Sequence, residues 1–310
     1  MKQRHFLQVS AFAAAFAFSL LAGASAHALR LQPALIELSL KPGESSVQSI
    51  RLLNDSQNTL NLGTMLYDAD AGNNEKGFPA FSPNKTDSTL SNWIKLNGGI
   101  DTFQLAPNES KMVSFSISVP TDAPFGGHYA GLGFTTPSQI PEAGGASLSG
   151  GIITNIALDV EGAVLEKGDI VSFSTAGSKA SYDKLPISFV TRINNGGNRH
   201  FKPQGSIQVK NMFGTVVATL PLNVTNGGGN VLPRSTREFN NTWEGEFAFG
   251  KYTAALTADL GGAGIKTANF ELWVMPAGLL ILWLIIALII IVILVLLIKR
   301  ALQPSSAMKK

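Results

Sequence analysis

Residues 112–119 read Met112-Val113-Ser114-Phe115-Ser116-Ile117-Ser118-Val119. Val113, Phe115, Ile117 and Val119 stand two apart with serines between them, and a period of two belongs to an extended chain whose alternate side chains leave opposite faces. The stretch is therefore a β-strand with one apolar face, which has to be covered by a second layer. The same period recurs on both sides of it. Residues 35–40 and 47–52 are strands around the turn Lys41-Pro42-Gly43-Glu44, and Asn54-Asp55-Ser56-Gln57 turns the chain into a third strand at 59–67. Residues 68–89, rich in Gly, Asn, Pro and Ser, read as a polar loop. Strand signals return at 93–96, 102–105 and 128–135, and again between 151 and 166.

Beyond residue 166 the pattern repeats with different residues. Short strands are expected at 170–174, 187–193, 206–211, 215–222, 252–258 and 268–274, separated by turns such as Asn194-Asn195-Gly196-Gly197-Asn198. Gly250-Lys251-Tyr252-Thr253-Ala254-Ala255-Leu256 places Tyr252, Ala254 and Leu256 on one side, as in a penultimate immunoglobulin-like strand. Strands about every ten residues, with no amphipathic helix among them, define an all-β chain. It is read as two immunoglobulin-like antiparallel β-sandwich domains, 29–166 and 167–274, followed by one C-terminal transmembrane helix.

That helix is the run 276–298, PAGLLILWLIIALIIIVILVLLI, which carries no charge. At about 1.5 Å per residue it reaches about 33 Å, enough to cross a hydrocarbon core of about 30 Å. Lys299 and Arg300 follow at once, and Lys309 and Lys310 close the basic tail 299–310, so the tail is expected in the cytoplasm and the sandwiches outside. Residues 1–28, with Lys2 and Arg4 before an alanine-rich apolar run and small residues at 24–28, read as a secretory signal peptide.

The net charge of +3 and pI of 9.0 come from the ends. Six of the 24 basic residues lie in the two terminal segments and all 21 acidic residues lie between them, which leaves the outer part mildly acidic. A nucleic-acid partner is therefore not expected. The absence of cysteine from 310 residues is the composition expected of a bacterial surface protein.

Chemistry-bearing residues are sparse. Outside the signal segment only His128 and His200 could serve as acid–base groups, and Ser181-Tyr182-Asp183-Lys184 has the bare Ser-x-x-Lys spacing without its partner motifs. No catalytic group and no cofactor is expected. Residues 68–75 carry Asp68, Asp70 and Glu75, but Gly72 stands where a calcium loop needs an oxygen ligand, so a solvated turn and no metal is the expectation. Trp93, His128 and Tyr129 are the candidate ligand-binding residues, since aromatic faces suit sugars and peptides. Val113, Phe115 and Ile117 are the alternative candidates, as a partner-pairing edge strand.

In the first domain, 35–38 with Lys41-Pro42-Gly43-Glu44, then 50–54, Trp93-Ile94, 105–110, 113–120 and Asp122-Ala123-Pro124-Phe125-Gly126-Gly127-His128-Tyr129 occur in that order. This run of phrases resembles the N-terminal, peptidoglycan-binding domain of the WxL-interacting proteins of bacterial surfaces. The resemblance implies a non-enzymatic membrane-anchored surface protein whose outer sandwich binds cell-wall glycan or a wall-associated surface protein. The alternative is an assembly protein that captures a partner chain by β-strand addition.

Overall fold

The computed structural model describes residues 29–72, 75–83, 89–99, 102–135, 151–224 and 228–301. The signal segment and residues 302–310 lie outside these. The chain divides into two compact units, residues 1–69 with 81–162 and residues 70–80 with 163–310. The change falls between Gly162 and Ala163, where the sequence reading places it after Glu166.

The first unit is built from β1 (Leu29–Gln32), β2 (Leu35–Leu40), β3 (Ser45–Asn54), β4 (Leu60–Ala71), β5 (Pro79–Ser82), a helical turn α1 (Leu90–Trp93), β6 (Ile94–Leu96), β7 (Thr102–Leu105), β8 (Ser110–Ser118), β9 (Gly126–Thr135) and β10 (Gly151–Val160). One sheet runs β1-β3-β8-β6. The other runs β2-β10-β9-β4-β5, with β7 on β4. Ile50, Leu52, Val113, Phe115 and Ile117 of the first sheet meet Leu132, Phe134, Ile156 and Leu158 of the second, all buried. The serines that alternate with them in β8 point the other way, so the period of two becomes the wall of a core.

Two expectations are corrected here. The expected polar loop 68–89 contains four more residues of β4 and the whole of β5. Trp93 closes the turn α1 instead of starting a strand.

The first strand of the sandwich is shared between layers. β1 pairs antiparallel with β3, the chain crosses at Pro33 and Ala34, and β2 then pairs parallel with β10, Leu35–Leu40 against Asn155–Val160. Proline has no N–H for a ladder, which suits it to such a crossing.

The second unit contains β11 (Gly168–Thr175), β12 (Ser181–Tyr182), β13 (Ile187–Asn195), β14 (Gln204–Asn211), β15 (Val216–Pro221), β16 (Ser235–Trp243), β17 (Gly250–Asp259) and β18 (Ile265–Val274). Its sheets run β11-β13-β16 and β12-β18-β17-β14-β15. Tyr252, Ala254 and Leu256 face the core together, as their spacing predicts. β16 is a strand that periodicity misses. Only Phe239 and Trp243 of its nine residues are buried, so its sequence STREFNNTW reads as polar.

Each unit contains a fully buried asparagine at the end of an inner strand. The Asn54 Nδ2 donates to the carbonyls of Asn58 (2.7 Å), Leu105 (2.9 Å) and Ala106 (3.0 Å), and its Oδ1 accepts from the Ser56 amide and hydroxyl. Asn195 repeats the device. It donates to Arg199 (2.8 Å) and Val231 (2.9 Å) and accepts from the Gly197 amide. A buried amide that satisfies several backbone groups fixes a turn that a short loop could not fix alone.

Glu75, in the segment grouped with the second unit, is bonded to that unit. Its carboxylate takes both Nε (2.6 Å) and Nη2 of Arg192, and its carbonyl accepts from the Glu238 amide (2.6 Å). The guanidinium bond keeps the Glu75 carboxyl below its ordinary range. With Asp68 buried in β4 and Glu75 engaged in this way, neither carboxylate is freely solvated as composition leads one to expect. Among the described residues no group of three or more His, Cys, Asp or Glu could hold a metal ion.

The last element is α2 (Ala277–Ala301), 25 residues and so about 37 Å long. Its side chains from Ile281 to Ile298 are exposed around the whole circumference. A helix that is apolar on all sides and covered on none has the length and composition to cross a membrane.

Candidate functional site at the edge of the first sandwich

The geometry that stands out in the first unit is an open corner between its two sheets. β10 pairs with β9 along all ten residues, but β2 covers only Asn155–Val160 on its other side. The amides of Asn155 and Glu161 donate toward the β2 side, to Ala34 and Leu40 (both 2.9 Å). Odd-numbered residues of β10 therefore direct their backbone groups that way, and among the described residues no strand pairs with Gly151 or Ile153 on that side. Thr154 marks the limit of cover, its hydroxyl donating to the Pro33 carbonyl (2.8 Å).

Facing this edge is β1, the outermost strand of the other sheet. Between them opens a groove of about 510 Å³ lined by Leu29, Leu31, Leu53 and Ile152 together with the polar Arg30, Gln32 and Arg51. Arg30 is paired with Asp55 (2.5 Å), and Arg51 Nη2 donates to the Ser110 hydroxyl (3.4 Å). Leucine and isoleucine side chains beside backbone that no described strand pairs are what an extended segment requires. Its main chain would complete the sheet and its alternate side chains would enter the groove.

The candidate residues read from the sequence lie elsewhere. Val113, Phe115 and Ile117 are on β8, which is not an edge strand. β3 pairs along one side of it, and β6 pairs with Phe115–Ile117 on the other. All three side chains are at most 1% exposed. The edge reading is corrected because alternation reports a buried face, whereas pairing runs along the perpendicular direction in the plane of the sheet.

Trp93 is also buried, 5% exposed, and its ring lies 4.6 Å from that of His128 at an interplanar angle of 48°. The half-buried His128 ring thus packs against a buried indole, and Trp93 offers no open stacking face. Tyr129, the next residue of β9, is half-buried, with its side chain on the opposite face of the strand and folded against Gly127. Ser181 and Tyr182 form β12 and pair with Trp273 and Val274.

His128 is a pH-sensitive element of this core. Burial holds its imidazole below the ordinary value of 6.5, against the pull of the Pro124 carbonyl at 2.8 Å from Nε2 and of the Asp159 carboxylate. As pH drops below 6.5 the unfolded chain takes up a proton that the folded chain refuses. Stability therefore falls from 6.5 down through the lowered value and is unaffected above neutrality. Thermal melts of the first unit are expected to show a lower Tm at pH 5.5 than at pH 7.5, and a smaller difference in His128→Phe. An equal drop in the variant would assign the effect to other groups.

Sequence reasoning misses the open corner because it depends on where β2 begins. The available signals are Pro33, which divides the first strand, and Gly151-Ile152-Ile153 at the start of β10.

No protein-family model and no curated protein sequence matches the chain. Solved structures similar to it include three of bacterial chaperones or their complexes. A chain of the CsuC–CsuE chaperone–tip adhesion subunit pre-assembly complex of Acinetobacter baumannii is 12% identical, with 80% of this chain and 99% of that one covered and a TM-score of 0.36. The CupB2 chaperone of Pseudomonas aeruginosa is 12% identical over 78% and 100%, with a TM-score of 0.36. A chain of the SafA pilin–SafB chaperone complex of Salmonella enterica is 11% identical over 81% and 99%, with a TM-score of 0.37. Likeness at this level sets neither ligand nor partner for this chain.

Proposed function

We propose that this chain is a non-enzymatic protein, held at a membrane by α2 with its sandwiches outside, whose first unit captures an extended partner segment by strand addition at β10. The observation that carries this reading is that, among the described residues, no strand pairs with Gly151 and Ile153 on the side away from β9, beside a groove lined in part by Leu29, Leu31, Leu53 and Ile152. The apolar length of α2 and the basic residues Lys299 and Arg300 after it support the orientation. The resemblance to WxL-interacting proteins would make wall glycan the ligand. Trp93 is interior, however, which leaves that reading without its expected stacking face. Strand addition is the reading the geometry supports better.

The test separates backbone pairing from side-chain contact. Ile153→Pro removes the N–H directed to the open side and leaves the even-numbered ladder to β9 untouched. In the full chain, partner capture is expected to fall about tenfold or more with Ile153→Pro, the loss of one or two hydrogen bonds with the strand geometry, and much less with Ile153→Ala. Photo-crosslinking from position 31 identifies the captured segment. Equal capture by Ile153→Pro and wild type, both folded, would refute strand addition at this edge.

A further inference from the structure

Between residues 163 and 275, the exposed aromatic side chains of the second unit gather at one end of its larger sheet. Phe213, 85% exposed, is at the tip of the β14–β15 hairpin, next to Met212. Phe247, 68% exposed, and Phe249 are in the loop between β16 and β17, and Trp273 and Met275 are at the end of β18. Among described residues 163–275, these four aromatic residues are all the large exposed ones.

The sheet register brings them together. Asn211 pairs with Tyr252, Tyr252 with Leu272, and Gly250 with Val274. The outgoing end of β14, the incoming end of β17 and the outgoing end of β18 are thus the same end of the sheet. The terminal methyl of Met212 rests where a Cβ on Gly250 would be, which joins the hairpin tip to the start of β17.

The tips are held in place. The Asn211 Oδ1 accepts from the amides of Phe213 and Thr215 (both 3.0 Å), which closes the hairpin turn. The Tyr252 hydroxyl is bonded to both the amide (3.1 Å) and the carbonyl (3.2 Å) of Phe249, so the second loop is pinned to the core. Rigid loops that hold phenylalanines in water expose apolar area with no internal contact to offset it.

Continuity with α2 indicates what covers them. Only Met275 and Pro276 separate β18 from α2. At roughly 3.5 Å per residue, the end of β18 stands within about 10 Å of the first helical residue, whatever angle the helix takes, and β17 and β14 follow at about 4.8 Å per strand. Aromatic side chains concentrate at this depth, between water and hydrocarbon. Glu244 and Glu246, in the same loop as Phe247, do not favour an anionic surface.

We propose that this end of the second sandwich is a lipid-contacting surface, with Phe213, Phe247, Phe249, Trp273 and Met275 seated in the interface of the bilayer that α2 enters. The proposal rests on α2 as a membrane span, and its test separates the two. The chain has no cysteine, so single nitroxide labels can be introduced without background. The full chain is reconstituted in phosphatidylcholine vesicles with Phe213→Cys, Phe247→Cys, Ile265→Cys or Leu288→Cys. Ile265 is exposed at the opposite end of the sheet, and Leu288 is in the middle of α2.

The ratio of collisions with oxygen to collisions with a water-soluble nickel chelate is expected to rise severalfold from position 265 to positions 213 and 247, and further at 288. A lipid-like ratio at 288 with values at 213 and 247 equal to that at 265 overturns the proposal and leaves the span standing. A water-like ratio at 288 overturns both.

Discussion

Phe115→Asp is expected to leave the first unit unfolded at room temperature while the second keeps its native signals. Phe115 has no exposed surface and lies between the two sheets. Deleting such a ring costs about 3–5 kcal/mol in lost contacts and cavity, and an unpaired carboxylate in its place adds several more. The sum rivals the entire stability of a domain, about 5–15 kcal/mol. Near-ultraviolet circular dichroism and the amide fingerprint of the second unit report the result. A folded Phe115→Asp would mean that β8 has an open face after all. For this reason the substitution cannot test partner capture, whereas Ile153→Pro can.

The second large effect is expected at the paired asparagines. Asn54→Ala removes the donor to three carbonyls and the acceptor for the Ser56 amide and hydroxyl, at a site with no contact with water. Each buried group left unsatisfied costs about 1–3 kcal/mol, so the first unit should lose about 3 kcal/mol or more. Asn195→Ala is expected to do the same to the second unit alone. Urea denaturation with a probe in each unit tests this. A shift of both transitions by either substitution, or of neither, would contradict the local role assigned to these side chains.

How far these features could be read from the sequence follows from what each depends on. β8 and β17 are visible because their burial alternates strictly, and that alternation is written in their residue types. β16 is invisible because seven of its nine residues never enter the core, and its place is set by pairing with β13. Asn54 and Asn195 stand in turn-forming sequences, but composition cannot tell a solvated amide from one that reaches back to bond a distant carbonyl.

The open corner fails for a further reason. Whether Gly151 and Ile153 have a neighbour is a property of β2, more than one hundred positions earlier, and no local pattern near β10 reports it. The aromatic end of the second unit lies between these cases. Phe213, Phe247 and Trp273 are plain in the sequence, and only the register brings them to one end.

The parallel pairing of β2 with β10 also decides how the first unit bears tension. Force that enters through β1 and leaves through Gly162 pulls β2 toward its N-terminus and β10 toward its C-terminus, along the strands in opposite senses. The ladder from Leu35–Leu40 to Asn155–Val160 is then sheared, and its hydrogen bonds resist together. An antiparallel hairpin pulled from its two ends would instead unzip one pair at a time. Splitting the first strand between two sheets thus gives the unit a mechanical clamp along the line from its N-terminal strand to its C-terminal exit.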